Sequence, residues 1–187
     1  QGLGTEGVHT YMSREVTGRA VLDSIRAAQR LTVANLSASG PVAITGYSQG
    51  GQAAAAAAEL AASYAPELNL KGVVAGAVPA DLARVAKNLD GSLYFAFLGY
   101  AVAGLTTSYN IDMSSYLNAK GEQVLADLEG QCTVESLLRY PFVHSSTLTQ
   151  DGRPVTDYLD AEPFKSVVAE QVIGADGRRP NVPTLVT

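Results

Sequence analysis

The chain has little with which to cross-link itself, take up protons near neutrality or cross a bilayer. It contains one cysteine, Cys132, so no disulfide can close within it. That thiol reads either as a half-buried free cysteine or as half of a disulfide whose partner lies outside these residues. Its two histidines, His9 and His144, are the only candidates for an imidazole base. The longest apolar run, Leu93 to Leu105, has 13 residues, two of them glycine, and is too short for a transmembrane helix. The 13 Lys and Arg residues are scattered and the net charge is −5, which argues against a nucleic-acid partner. No block of like charges forms a tail or a polybasic anchor. The opening Gln1-Gly2-Leu3-Gly4 has neither the basic nor the apolar region of a signal peptide and no initiating Met, so the sequence reads as a processed or excised piece. Apolar residues make up 47% of the 187, enough for one sizeable core with an insertion.

What is present centres on Val42-Ala43-Ile44-Thr45-Gly46-Tyr47-Ser48-Gln49-Gly50-Gly51, followed by Gln52 and the alanine run Ala53 to Ala58. It reads as a strand of buried type, a tight turn carrying Ser48, and a helix that starts at once. Gly46-Tyr47-Ser48-Gln49-Gly50 fits G-x-S-x-G, the nucleophile elbow of α/β-hydrolases. Such a turn strains the serine backbone, and small residues two before and two after, Gly46 and Gly50, let strand and helix cross closely. The hydroxyl is then raised towards the positive end of the helix. The plainer reading is an αβ turn whose serine only caps the helix.

Along the chain, Gln1 to Tyr11 is a glycine-rich loop. A helix is expected over Ser13 to Leu31, with Val16, Ala20, Ile25, Ala28 and Leu31 on its apolar face and Arg14, Arg19, Asp23, Arg26 and Arg30 outside it. The elbow helix should stop at Ala65-Pro66, and Leu70 to Val78 is a second buried strand. Strand, helix, strand with apolar strands implies a parallel sheet with right-handed crossovers. From Leu82 to about Gln171 the segments Leu82–Leu89, Leu93–Leu105, Lys120–Leu128, Val134–Leu138 and Ala161–Ile173 read as helical or irregular, with no convincing buried strand. The expected organisation is α/β: a partial core of hydrolase type over 1–81, a helical cap inserted over 82–173, and a return to the sheet over 174–187, where Thr184 to Thr187 begins another strand.

Gly2-Leu3-Gly4-Thr5-Glu6-Gly7 also satisfies G-x-G-x-x-G, with Asp23 about where a ribose-binding acid is expected. A dinucleotide site needs a strand directly before the first glycine and a helix at the motif, and neither fits here. In a hydrolase of this type the catalytic order is serine, acid, histidine. His9 precedes Ser48, and His144 sits inside the expected cap, where a hydrogen-bonded structural role is the default. Asp81, the one acid after a sheet strand, leads into the cap. Chain order therefore puts the catalytic acid and histidine beyond Thr187.

Gly2 to His9 before the first helix, the elbow, Ala58 to Gly72 after it and Gly76-Ala77-Val78-Pro79-Ala80-Asp81-Leu82 resemble the secretory lipases, the lipase A type of yeasts and actinobacteria. The resemblance is specific over Gly2 to Leu82 and general over the cap. It implies a secreted serine ester hydrolase acting on a lipid or acyl-ester substrate, with a helical lid forming the acyl tunnel and no cofactor or metal. Residue by residue, it implies Ser48 as nucleophile and the Gln49 backbone N–H as one oxyanion donor. A second donor in a His-Gly-type loop lies upstream of Gln1, and the acid and base lie downstream. The missing flanking segments are therefore expected partners, and Cys132 matches a cap cysteine paired with that upstream loop. Tyr47, Phe95, Phe97 and Leu98 are acyl-pocket candidates, with Leu93 to Leu105 either a wall for the acyl chain or plain cap core. A non-catalytic acyl-binding module remains an alternative, and lipase, short-chain esterase and acyltransferase are not separable at this level. Asn35-Leu36-Ser37 is a glycosylation sequon only in a eukaryotic source.

Overall fold

The computed structural model describes residues 6–187, and the chain divides into two compact units. One, the sheet unit, is Arg14–Ala80 with Gln171–Thr187. The other, the helical unit, is residues 6–13 with Asp81–Glu170.

The sheet unit starts with helix α1, Arg14–Arg30, then strand β1, Val42–Tyr47, helix α2, Gln49–Tyr64, and strand β2, Leu70–Gly76. Strand β3, Thr184–Val186, completes a parallel sheet of order β1-β2-β3. Burial alternates along the strands: Ile44, Val73 and Ala75 are buried, whereas Ala43, Thr45 and Val74 are exposed. The strands expected to be buried are thus buried on one face only, because among the described residues α2 covers one face of the sheet. β2 ends at Gly76, two residues before the expected Val78, because Ala77 turns to φ +47°.

The alanine run explains how α2 fits. Ala54 to Ala58 and Ala61 are buried, and α2 packs on α1, β1 and β2 together. A helix apolar on so many sides must be enclosed, and methyl side chains let its neighbours come close. A Cβ at Gly18 of α1 would meet Ala56 at about 3 Å. That contact fixes which face α1 buries. Arg14, Thr17, Gly18 and Leu22 are buried, while Val16 and Leu31 are 45% and 56% exposed and Ala20 is exposed too. The face expected from Val16, Ala20 and Leu31 is therefore wrong. The inward stripe includes an arginine.

Arg14 is buried because a carboxylate waits for it. Its guanidinium lies 3.2 Å from Glu59 of α2, whose side chain is 2% exposed. Glu59 also accepts from the Gly174 N–H at 2.5 Å and faces the Arg178 guanidinium at 3.7 Å. The Arg14 N–H donates to Gln171 Oε1 at 2.8 Å, and the Ile173 N–H to the Ala80 carbonyl at 3.0 Å. These bonds tie the returning segment to α1 and α2.

The helical unit contains α3 (Leu82–Leu89), α4 (Phe95–Ser108), α5 (Ala119–Gly130), α6 (Thr133–Arg139) and α7 (Phe164–Glu170). Asp81 caps α3 by accepting from the Arg84 N–H at 3.2 Å, and Asn118 caps α5 by accepting from the Gly121 N–H at 3.0 Å. α4 is apolar nearly all round and belongs to both buried clusters of the unit. α7 is shorter than the expected Ala161–Ile173, because Pro163 bars helical backbone at Glu162 before it. Outside the sheet the one strand-like pairing among the described residues is an isolated bridge, Leu117 to Thr149.

Candidate active site

Ser48 stands between β1 and α2 with φ +55° and ψ −116°. A non-glycine residue held there costs about 1–3 kcal/mol, so the surroundings must impose it. They do so through backbone. The Ser48 N–H donates to the Gly76 carbonyl of β2 at 2.9 Å, and the Ser48 carbonyl accepts from the Gln52 N–H at 3.0 Å. A Cβ at Gly46 would collide with the Gly50 carbonyl group, and one at Gly51 with the Gly76 carbonyl oxygen. A Cβ at Gly50 would meet nothing within 4 Å. Of the two glycines expected to be sterically required, Gly46 is and Gly50 is not. Gly51, one residue further on, has that role because it crosses β2 where the Ser48 N–H is bound.

The Ser48 side chain is exposed and makes no capping bond to α2, so the helix-capping reading does not hold. Gln49 is the first residue of α2, where backbone N–H groups and the helix dipole favour negative charge. Tyr47 is 77% exposed and points away from the core.

Both histidines belong to the helical unit. His9 lines a small hollow with Tyr11, Tyr100 and Glu129, and burial lowers its pKa. Burial pushes the Tyr11 phenol up to about 12 and raises the Glu129 carboxyl. His144 is exposed, its ring lies against Gly91, and its carbonyl accepts from the Thr147 N–H and hydroxyl at 3.0 and 2.8 Å. Cys132 is exposed rather than half-buried, at the N-cap of α6. Of the glycine motif at residues 2–7, positions 2–5 lie outside the described residues, and Gly7 has φ +78°.

Phe95 and Leu98 are buried, and each lines an apolar cavity of the helical unit. The first cavity, about 60 Å³, is bounded by α3, α4 and α7 with Ile111, Met113, Tyr158 and Leu159. The second, about 40 Å³, lies between α4 and α5. Phe97 lines neither; it stacks on Tyr94 at 6.2 Å and tilts against Tyr100 at 6.3 Å. Val102 falls within the expected apolar segment and Phe164 within the expected Ala161–Ile173, but Val155 and Tyr158 do not stand out, since a short 3₁₀ helix (Val155–Asp160) shows no helical period. Among the described residues no helix is long and apolar enough to cross a membrane, and no three of His, Cys, Asp and Glu are grouped as metal ligands would be.

Comparison with known proteins accords with this geometry. The chain is 35% identical to "Lipase A" of Moesziomyces aphidis, over 83% of this chain and 34% of that protein. It is 34% identical, over 81% of this chain and 32% of the other, to a Mycobacterium tuberculosis protein described as a "Probable inactive lipase". The solved structure of Candida antarctica lipase A in its closed state matches 95% of this chain and 42% of its own, with a TM-score of 0.81 and 29% identity. The chain thus spans about a third of the length of these curated relatives, and its sheet and helices are part of an α/β-hydrolase fold. The family model described as "Secretory lipase" matches residues 1–187, and the chain belongs to the secretory lipase family.

Proposed function

We propose that the chain carries the nucleophile of a secreted carboxylic-ester hydrolase, a triacylglycerol lipase by kinship, with Ser48 attacking the ester carbonyl. The observation that supports this best is the backbone of Ser48: φ +55° between strand and helix, hydroxyl exposed and spared from capping. A base outside these residues takes the Ser48 proton as the Oγ–carbonyl bond forms, and the Gln49 N–H donates to the oxyanion. Collapse expels the alcohol and leaves an acyl-enzyme, which water hydrolyses. The base and acid come from beyond Thr187, since His9 precedes Ser48 and His144 belongs to the helical unit rather than following a late sheet strand, and by kinship the second donor comes from before Gln1. The apolar cavities bounded by Phe95 and Leu98 take the acyl chain; Tyr47 and Phe97, exposed or stacked, are weaker candidates.

Losing one oxyanion donor alone costs about 10²–10³ in turnover. Without base, acid and second donor, these 187 residues should therefore hydrolyse esters far below ordinary enzyme rates. The test is intact mass after incubation with a fluorophosphonate, on this chain and on a full-length enzyme containing it. The full-length protein should gain one adduct that Ser48→Ala abolishes, and this chain should gain little. A full-length protein that stays unlabelled would overturn the assignment. A non-catalytic acyl-binding role is the second reading, favoured by the relative described as inactive; it predicts acyl binding without labelling.

A further inference from the structure

The first turn of α2 has little in its own sequence to hold it in place. Gln49 is followed by Gly50 and Gly51, and glycine is among the least favourable helix residues. Ser48, in the capping position, makes no side-chain bond to the helix. Yet this turn carries the Gln49 N–H, whose direction matters to any oxyanion formed at Ser48. The next residue with a side chain able to anchor the turn is Gln52.

Gln52 is 0% exposed and stands at the head of the alanine run. An amide enclosed there needs a partner, because burying one without a hydrogen bond is costly, whereas a methionine would pack without that demand. The Thr17 hydroxyl of α1 donates to Gln52 Oε1 at 3.0 Å, a shorter contact than its 3.4 Å to the Arg14 carbonyl. The Gln52 N–H donates in turn to the Ser48 carbonyl at 3.0 Å. Thr17 is itself well held: Arg14, one turn before it, is tied to Glu59 and Gln171, and Gly18, next to it, abuts Ala56. One residue therefore grips the serine through its backbone and α1 through its side chain.

We propose that Gln52, pinned by Thr17, is a positioning residue for the reaction at Ser48. Their bond fixes the rotation of the first turn of α2, and with it the aim of the Gln49 N–H relative to the Ser48 hydroxyl. The proposal rests on the reading of Ser48 as nucleophile, and in it neither Gln52 nor Thr17 touches substrate. A misplacement of about 1 Å costs about 10²-fold in rate, and outright loss of an oxyanion donor about 10²–10³-fold.

The test uses the full-length enzyme, well below its unfolding transition. It reads the rate of fluorophosphonate labelling, and kcat and KM for a water-soluble short-chain ester. Thr17→Val keeps the shape of the side chain and removes the donor; Thr17→Ser keeps the donor. Thr17→Val and Gln52→Met should each lower kcat and the labelling rate about 10- to 100-fold, with KM within about twofold of the parent. Thr17→Ser should stay within about threefold of the parent. The double variant should fall within about threefold of either single one, because both remove the same bond. The acid limb of the kcat/KM profile against pH should not move, since the base is untouched. A natively folded Thr17→Val with the kcat of Thr17→Ser would overturn the proposal. So would losses carried by KM, or losses that multiply in the double variant. If Gln52→Met does not fold, the two Thr17 variants decide alone. A parent that takes no label overturns the Ser48 reading and the positioning role with it, whereas a labelled parent with unaffected variants overturns the positioning role alone.

Discussion

Replacing Glu59 by Gln keeps the size of the side chain and removes its charge. The Arg14 guanidinium, whose side chain is 8% exposed, then stays buried opposite a neutral amide. Removing one partner of a buried pair costs about 3–5 kcal/mol, because the remaining charge loses an opposite charge and does not regain water. Arg178 adds little, being 20% exposed and 3.7 Å away. A domain of this size is stable by about 5–15 kcal/mol, so a large share of the total is lost. At about 2–4 °C per kcal/mol, thermal unfolding followed by far-ultraviolet circular dichroism should shift down by about 6–20 °C. The shift should be nearly the same at low and high salt, since ions do not reach the pair. Adding Arg14→Met to Glu59→Gln should recover a large part of the loss, with a coupling of about 2 kcal/mol or more. A shift below about 2 °C, or one that salt abolishes, would mean that the pair behaves as a surface ion pair, and the reasoning would be refuted.

Three further predictions concern other positions. Gly50→Ala should be neutral or slightly stabilising, by up to about 1 kcal/mol, because its Cβ enters open space within a helix. Gly51→Ala should destabilise by about 1–3 kcal/mol and lower fluorophosphonate labelling of Ser48 in the full-length enzyme, because its Cβ meets the Gly76 carbonyl that also holds the Ser48 N–H. Equal melting temperatures for the two would contradict this account. Glu129 has a pKa raised by burial, so the folded state holds its proton to higher pH than the unfolded chain does. That penalty is absent below the unfolded value of about 4.3 and grows as pH rises through the folded value. Glu129→Gln should therefore be more stable than the parent at neutral pH and equal to it near pH 3, as read by denaturant titration at both. A variant less stable at neutral pH would show that the charge has a favourable partner.

Much of the fold was legible because its signals are local. Pro41 and Pro66 bracket the elbow strand and helix, and α3 spans the predicted Leu82–Leu89. The turn at Ser48 was legible too, since a small residue two before the serine and an immediate helix leave few other backbone paths. Where sequence reasoning failed, the cause was a partner far along the chain. Arg14 looks like a surface residue until Glu59, 45 positions away, faces it. Val16, Ala20 and Leu31 look like a core stripe until Gly18 admits Ala56 and turns the helix another way.

The sequence by itself determined where helices and strands run, that the strands pair in parallel, and which serine stands at the turn, because hydrophobic period, caps and turn residues act over a few positions. Only the tertiary structure decided that Gly51 rather than Gly50 is the crowded glycine, that α1 buries an arginine, and that Val155 lines the same two cavities as Leu98 and Val102. Those outcomes depend on which backbones approach one another across long stretches of chain, and close packing fixes that only once the elements are assembled.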